Sequence, residues 1–315
     1  MFEERLREIS ERIDKHSKNK ADYLILTHKK HRREIFFKDN RKAFKFIKIK
    51  FGSSFKRLAY FLVKTGVIKP FLKKIKLSGK LGDVIFVAGQ IKCFNLEKGI
   101  VTSFTKNEEE NKFFIESKKF QKKIGKEGFA PIIYEVNEKL PYSREEFLGE
   151  YVGGRDVEIF KKLHSYYKRK GIRRIPVKKY ISLLNRLIKK TSLDNPFING
   201  VLSKVSKNKG RLLMTEIHGD FAKEQVLIKN DDYVYTDWNP KKGLIIEDLI
   251  NFFQYEEDLL GNQKFMRILE IYPLEVRKNI NMHIILNEIS SLIKRKGRHY
   301  PFSKRRIQNL INGLN

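Results

Sequence analysis

The spacing of apolar residues changes near Ser78 from a helical to a strand-like pattern. Before this point apolar residues recur three or four positions apart, as at Phe2, Leu6 and Ile9, and this spacing predicts amphipathic helices. After it, short apolar runs are separated by turn residues. These runs predict three strands, at Val84–Val87, Ile91–Leu96 and Ile100–Phe104.

Helical spacing returns after these strands and dominates the second half of the chain. Helices are predicted at 108–124, 156–169, 177–190, 262–271, 275–296 and 303–313. This order of elements predicts an α+β fold with two lobes, a small β-rich lobe at 78–152 and a larger α-rich lobe at 153–315. A basic, mainly helical extension is expected at 1–77.

Charge is unevenly distributed along the chain, whose net charge is +30. Residues 40–82 hold 13 Lys and Arg and no acid, whereas residues 216–258 hold 11 acids and 4 Lys. A second basic segment lies at 294–306. The acidic centre suits a divalent metal, and the basic flanks suit a polyanion or an anionic membrane surface.

Within 55–75 the apolar residues fall on two helical faces, with Lys and Arg on the other faces. Two interpretations stay open: the apolar faces pack on the domain, or these basic amphipathic helices lie at a membrane interface.

The acidic centre contains a predicted hairpin with a carboxylate on each side. The turn His-Gly-Asp at 218–220 precedes one strand, at 226–228, and Asp237 follows the second strand, at 233–236. Phosphoryl transfer in kinases uses two carboxylates, one that orients the acceptor hydroxyl and one that holds Mg²⁺ on the nucleotide phosphates. The hairpin is therefore a candidate site for this chemistry.

The turn at 218–220, the pair Asp237-Trp238 and the pair Asp248-Leu249 together resemble the aminoglycoside phosphotransferase and choline kinase family. Enzymes of this family have a protein-kinase-like fold and phosphorylate small hydroxylated molecules. The resemblance implies Mg²⁺ and the co-substrate ATP. It also implies that the Asp at 248 steadies the catalytic loop, although a carboxylate at a helix start is also favoured by the helix dipole alone.

The resemblance assigns roles to individual residues of the hairpin. Asp220, with His218 in the same turn, matches the catalytic position, and Asp237 matches a metal ligand. The family has a metal-binding Asn five residues after the catalytic Asp, where this chain has Gln225. Gln carries the same amide oxygen on a longer side chain, so Gln225 is the second metal ligand that we predict.

Four residues of the β-rich lobe are predicted to position or cover the nucleotide phosphates. The family expects a strand Lys that neutralises phosphates and pairs with a helix Glu, and Lys106 and Glu116 are the candidates here. Lys106 lies at the end of a strand and not inside it. An equal alternative is therefore that Lys106 is an exposed lysine of a hairpin with no role in nucleotide binding. Gly79 and Gly82 lie in a Gly-Lys-Leu-Gly stretch that is a candidate phosphate-covering loop.

The segment 147–154 resembles the hinge that joins the two lobes in this family, and follows a predicted strand at 129–134. Backbone groups from Glu150 to Val152 are predicted to bond to the adenine edge. The alternative is an ordinary edge strand that ends at a Gly-Gly pair.

The composition bears on the cellular location of the protein and argues against disulfide-rich, zinc-binding and membrane-spanning proteins. The single Cys93 excludes an intramolecular disulfide framework, and no Cys/His cluster has zinc spacing. The N-terminus does not resemble a signal peptide, and no apolar run reaches the roughly 18 residues of a membrane span. We expect a cytoplasmic protein, with peripheral contact at the inner membrane face as a further hypothesis.

Three functions follow from these observations. The first is ATP-dependent phosphorylation of a hydroxyl on a small molecule, sugar or polysaccharide precursor, including a lipid-linked one. The second is a catalytically impaired pseudokinase that acts as a binding or scaffold module. The third is a basic nucleic-acid-binding protein, although no recognised nucleic-acid motif accompanies the basic segments.

Overall fold

The computed structural model describes residues 2–13, 20–28, 33–50, 72–150, 153–191, 195–294 and 300–311. The chain divides into two compact units, Met1–Gly149 and Glu150–Asn315, referred to below as the first and the second unit. None of the helices in the described ranges has the length and apolar composition of a membrane span.

The first unit is built on an eight-stranded antiparallel sheet with the strand order β3-β1-β2-β4-β5-β6-β8-β7. Its strands are β1 (Lys20–His28), β2 (Arg33–Lys38), β3 (Lys74–Ser78), β4 (Val84–Val87), β5 (Ile91–Asn95), β6 (Ile100–Phe104), β7 (Ile133–Asn137) and β8 (Tyr142–Glu146). A two-residue strand, β9 (Gly149–Glu150), follows where the division between the units falls. The three strands predicted from the apolar runs correspond to β4, β5 and β6.

Helices pack on the sheet of the first unit because its strands alternate apolar side chains between two faces. They are α1 (Phe2–Ile13), α2 (Arg41–Lys50) and α3 (Asn111–Lys126). Leu6 of α1 is buried in one cluster with Tyr23 of β1, whereas Phe44 of α2 is buried in another with Leu24, the next residue of β1. The two faces therefore carry separate cores.

The N-terminal part of this sheet differs from the helical extension expected at 1–77. Residues 20–28 and 33–38 are strands that join the same sheet as β4, and Ile75, assigned to a helical face, lies in β3. The physical reason is pairing, since β1 is hydrogen-bonded to β2 on one side and β3 on the other. The helical faces proposed within 55–71 lie outside the described residues.

The second unit is rich in helices. They are α4 (Asp156–Lys170), α5 (Val177–Thr191), α6 (Pro196–Ser206), α7 (Glu247–Phe252), α8 (Gln263–Leu269), α9 (Leu274–Lys278), α10 (Ile280–Lys294) and α11 (Tyr300–Ile311). The helix α10 lies in the core of the unit, because most of its side chains from Met282 to Ile293 are buried. The predicted α+β fold, with strands concentrated in the N-terminal part and helices in the C-terminal part, is confirmed.

Two small sets of strands complete the second unit. A three-stranded antiparallel sheet has the order β10 (Arg173–Pro176), β11 (Arg211–Ile217) and β14 (Lys241–Leu244). The predicted hairpin is formed by β12 (Val226–Lys229) and β13 (Asp232–Tyr235). Its turn at 230–231 has left-handed backbone angles, which Asn and Asp tolerate better than other residues with a Cβ. The strand β11 leads directly into the turn 218–220.

Candidate active site at the hairpin

Asp248 fixes the turn that precedes Asp220. This fully buried carboxylate accepts hydrogen bonds from the backbone N–H of His218 at 2.8 Å and of Gly219 at 3.0 Å. It also accepts one from the hydroxyl of Tyr167 on α4 at 2.7 Å. The expectation that this residue steadies the loop therefore has a direct structural basis.

The environment of Asp248 is costly for a charge. Burial raises the pKa of Asp248 to about 6, and the bonds from Tyr167, Gly219 and His218 act in the opposite direction. A buried carboxylate is tolerated only where donors satisfy its oxygens. At neutral pH the group is charged, and its three donors hold the turn in one conformation.

The imidazole of His218 is fully buried behind the turn. Its Nε2 lies 2.9 Å from the carbonyl oxygen of Thr236. A carbonyl can only accept, so Nε2 carries the proton. Burial lowers the pKa of His218 to about 4, opposed by the bond to Thr236 and by the negative charge of Asp237. A neutral ring thus links the turn to the end of β13, in contrast with the catalytic role predicted for it.

The chain after the hairpin crosses close to the turn. The N–H of Asn239 donates to the carbonyl oxygen of His218 at 3.0 Å. At Gly219 the backbone is left-handed, with φ of 91°, and a Cβ would collide with the carbonyl oxygen of Asn239. Only glycine fits this crossing.

Lys241 ties the turn to the helix that carries Asp248. Its Nζ donates to the carbonyl oxygen of Gly219 at 2.8 Å and lies 2.6 Å from Oε1 of the buried Glu247 on α7. Asp248 therefore binds the N–H groups of the turn directly, and Glu247 holds the Lys241 side chain that binds a carbonyl group of the same turn. Lys241 was not identified from the sequence, and no spacing signal marks it there.

Asp220 is exposed at the end of this rigid turn. Its carboxylate makes no hydrogen bond or ion pair with the residues of the described ranges. The next residue, Phe221, is buried and packs against Phe160 of α4 at 5.6 Å and Tyr235 of β13 at 5.3 Å between ring centroids. The backbone on both sides of Asp220 is anchored, while its carboxylate is accessible.

Gln225 uses its side chain to close a short turn of 3-10 helix, Lys223–Gln225. Its Oε1 accepts a hydrogen bond from the N–H of Ala222 at 2.7 Å. Its backbone carbonyl accepts one from the N–H of Thr236 at 2.9 Å. The amide oxygen predicted as a metal ligand therefore already has a backbone donor, and Gln225 is fixed next to the residue that precedes Asp237.

Asp237 follows β13 in a left-handed backbone conformation, with φ of 56°. Such a conformation is uncommon for residues with a Cβ, and Asp and Asn adopt it most readily. Behind it the buried ring of Trp238 packs on His218 at 4.6 Å and on Tyr166 at 4.8 Å, and its Nε1–H donates to the carbonyl oxygen of Tyr235. Asp237 is half-buried, and the packed ring of the next residue, Trp238, fixes the backbone beside it.

Gln225 and Asp237 lie at the open end of one hairpin, opposite its turn at 230–231, and the turn that bears Asp220 is bonded to the same end through His218 and Thr236. Carboxylate oxygens are the hard ligands that Mg²⁺ prefers, and Mg²⁺ is commonly bound by one or two carboxylates together with water and phosphate oxygens. The two Asp side chains fit this donor set. Within the described ranges no three His, Cys, Asp or Glu side chains are grouped as a larger metal site.

In the first unit the pair expected between Lys106 and Glu116 does not form. Glu116 is exposed on α3. Burial lowers the pKa of Lys106, and the charges that oppose this shift belong to Glu110 and Glu34. The helical register explains the difference, because Phe114, Ile115 and Ile124 turn the opposite face of α3 towards the sheet.

A buried ion pair joins the same helix to the sheet through other residues. Nζ of Lys118 on α3 lies 3.1 Å from Oε2 of Glu145 on β8, and both side chains are almost completely buried. The carboxylate of Glu145 also accepts hydrogen bonds from the side-chain amide of Gln121 at 2.8 Å and from the hydroxyl of Ser103 on β6 at 3.4 Å. The Lys is on the helix and the Glu on the strand, the reverse of the kinase arrangement. A sequence signal exists, since Lys118 and Gln121 share a helix face with apolar Phe114.

The two glycines predicted to cover the phosphates have structural roles of their own, and the predicted hinge is described only in part. Gly79 begins a single turn of 3-10 helix and its carbonyl accepts a hydrogen bond from Lys38. Gly82 has φ of 98°, and a Cβ there would overlap the backbone of Phe94, so strand packing alone requires this glycine. Glu150 is the last residue of β9, and Val152 lies outside the described residues.

No protein-family model matches the sequence, and no curated protein does. The structure is similar to that of choline kinase LicA from Streptococcus pneumoniae, with 14% identity, a TM-score of 0.49, and coverage of 72% of this chain and 89% of that chain. It is also similar to a choline/ethanolamine kinase family protein from Mesorhizobium loti, with 13% identity, a TM-score of 0.43, and coverage of 72% and 83%. A thermostable mutant of aminoglycoside phosphotransferase APH(4)-Ia has 10% identity, a TM-score of 0.46, and coverage of 73% and 90%.

Proposed function

We propose that this protein transfers a phosphoryl group from ATP to a hydroxyl of a small molecule or glycan. The observation that carries the proposal is the open end of the hairpin. The rigid turn that bears the exposed Asp220 is bonded there to the segment that bears Asp237, through His218 and Thr236 and through Asn239 and His218. Phosphoryl transfer depends mainly on positioning and on charge stabilisation. A fixed turn with an accessible Asp supplies the first of these.

Asp220 would orient the acceptor hydroxyl and accept its proton as the bond to phosphorus forms. Its exposure leaves the carboxylate available, and Asp248, His218 and Lys241 hold the backbone around it. A base must reach the proton it takes in a defined geometry. The buried groups around the turn restrict where Asp220 can point.

Asp237 would hold Mg²⁺ on the nucleotide phosphates, with Gln225 next to it at the same end of the hairpin. The metal would neutralise charge on the phosphate oxygens during transfer. Gln225 can take part only through the second lone pair of Oε1, because the first accepts the hydrogen bond from Ala222. Water and phosphate oxygens would complete the coordination.

A second candidate is a module that binds nucleotide without transferring phosphate. Two observations favour it: Oε1 of Gln225 is engaged by the backbone, and Glu116 is exposed and does not form the expected pair. Nucleotide binding separates both candidates from other functions, and turnover separates them from each other.

The test is calorimetric binding of ATP with and without Mg²⁺, together with ATP turnover. Asp237→Asn removes the charge but keeps a residue that tolerates the left-handed backbone. We predict at least a roughly tenfold loss of Mg²⁺-dependent ATP affinity, since a metal ligand is lost. The matched control is Asp231→Asn, because Asp231 has a similar φ of 62° in the exposed turn. It should bind as the wild type does.

Asp220→Asn tests the second role. It should leave ATP affinity unchanged and lower turnover by roughly 10²–10⁴, the usual contribution of a general base. Wild-type protein that binds no nucleotide, or unchanged Mg²⁺-dependent binding in Asp237→Asn, would contradict the proposal. Binding without turnover in the wild type would support the second candidate.

A further inference from the structure

The second unit contains a long basic segment in addition to the basic segments at 40–82 and 294–306. Residues 159–193 hold 12 Lys and Arg and no acid. They form the greater part of α4, then β10 and α5. The segment differs in charge from residues 216–258 of the same unit, where acids predominate.

The outer face of α5 concentrates this charge at the surface. The helix buries one apolar side, which includes Tyr180, Ile181 and Leu184. Its cations are all exposed: Lys178, Lys179, Arg186, Lys189 and Lys190. The helix contains no Asp or Glu, so the exposed face has a single sign of charge.

Two leucines lie among these cations. Leu183 is 41% exposed and Leu187 is 38% exposed. They are four residues apart and therefore neighbours on the helix surface. The exposed face of α5 therefore combines two apolar side chains, one helical turn apart, with surrounding cations.

The cations of α5 have no partners in the part of the chain that the structure describes. None of the five makes an ion pair or a hydrogen bond with a described residue. By contrast Arg174, just before the helix, pairs with Glu275 at 3.0 Å. The positive charge of α5 is therefore available to an external anion.

We propose that this face of α5 docks on an anionic membrane surface. Lys and Arg would interact with lipid phosphates, and Leu183 and Leu187 would enter the boundary between headgroups and acyl chains. Charge complementarity supports the partner, and the two leucines distinguish it from other anions. A nucleic acid would use the cations, but this face offers no exposed aromatic ring for base stacking.

The experiment is co-sedimentation of the full-length protein with vesicles made of equal parts phosphatidylcholine and phosphatidylglycerol. Vesicles of phosphatidylcholine alone are the neutral comparison. Lys178, Lys179, Lys189 and Lys190 are changed together to Gln. The matched control changes four exposed Lys of α3 to Gln, and these are Lys112, Lys122, Lys123 and Lys126. Both variants lose the same net charge.

The wild-type protein is expected to bind anionic vesicles and not neutral ones. Its affinity for anionic vesicles should fall by about a hundredfold or more in the α5 variant and change little in the α3 variant. Equal losses in the two variants would assign binding to net charge and overturn the proposal. Circular dichroism of each variant confirms that it is folded.

Leu183→Ala with Leu187→Ala tests the apolar contribution and keeps all the charge. The control is Met266→Ala with Leu274→Ala, which are 40% and 53% exposed in the wild type. Weaker vesicle binding in the first pair alone is the expected result.

A single-stranded RNA oligonucleotide is the alternative ligand for the same face. Unchanged vesicle binding in the α5 lysine variant, together with lost binding to this oligonucleotide, would assign the face to nucleic acid.

Discussion

Gln225 shows how one methylene group changes what an amide can reach. Its Oε1 extends back to the N–H of Ala222, three residues earlier, at 2.7 Å. This bond satisfies a backbone donor at the start of a short helical turn, as a capping residue does. Asn, which the family that the sequence resembles has at this position, is shorter and cannot make the same bond without backbone movement. Gln225 therefore has a local structural role that the sequence motif alone does not reveal.

Gln225→Asn should lower the free energy of unfolding by about 1 kcal/mol, the usual effect of losing a cap. Gln225→Glu is the matched control, because it keeps an oxygen acceptor at the same length and should retain most of the stability. Urea unfolding of the three proteins measures the effect. If Gln225→Asn is as stable as the wild type but has altered Mg²⁺-dependent ATP affinity, the amide acts at the metal rather than as a cap.

At the scale of elements, local patterns predicted most of the hairpin and helices. The strands expected at 226–228 and 233–236 are β12 and β13, because the polar turn between them and their own alternation specify the pair. The helix predicted at 177–190 is α5. These elements depend on residues within a few positions of one another.

Elements that depend on distant partners were missed or misassigned. The strand β1 pairs with β3, and the pair Lys20–Ser78 spans most of the predicted helical extension. Strand β11, which positions the turn at 218, pairs with β10 and β14 and was not predicted. Similarly, the motif located Asp220 and Asp237, but not the contacts of Tyr167 and Lys241 that hold the turn.

The buried pair Lys118–Glu145 links α3 to β8 and has a testable energetic consequence. Lys118→Met should lower the free energy of unfolding by about 3–5 kcal/mol, because it leaves the Glu145 carboxylate buried without its cation. The double variant Lys118→Met with Glu145→Met should recover most of this loss, since it leaves no unpaired charge. Denaturant unfolding followed by circular dichroism measures both.

The control for this pair is Glu116→Gln on the exposed side of the same helix, which should change stability little. A Lys118→Met variant as stable as this control would contradict the view that the ion pair anchors α3.

At the scale of the whole molecule, buried titratable groups of the second unit couple folding to pH. Burial lowers the pKa of His218 and of His283 to about 4, and also lowers that of His164. The unfolded chain binds these protons at higher pH than the folded chain, so their contribution to stability falls as pH drops from about 6.5 towards 4. Asp248 has a raised pKa of about 6 and acts in the opposite direction, because the folded chain binds its proton more readily.

His283 on α10 isolates one part of this dependence. It is completely buried, and neither ring nitrogen has a hydrogen-bond partner among the described residues. His283→Leu should keep or raise stability at about pH 7, because it removes two unsatisfied polar atoms. Between about pH 7 and about pH 5 it should lose about 2 kcal/mol less than the wild type, since a pKa difference of one unit corresponds to about 1.4 kcal/mol. Urea unfolding at both pH values measures the difference. Met282→Leu, next to it on the buried helix, changes packing without a titratable group and should keep the wild-type pH dependence. An equal pH dependence in all three proteins would mean that His283 is not held neutral by burial.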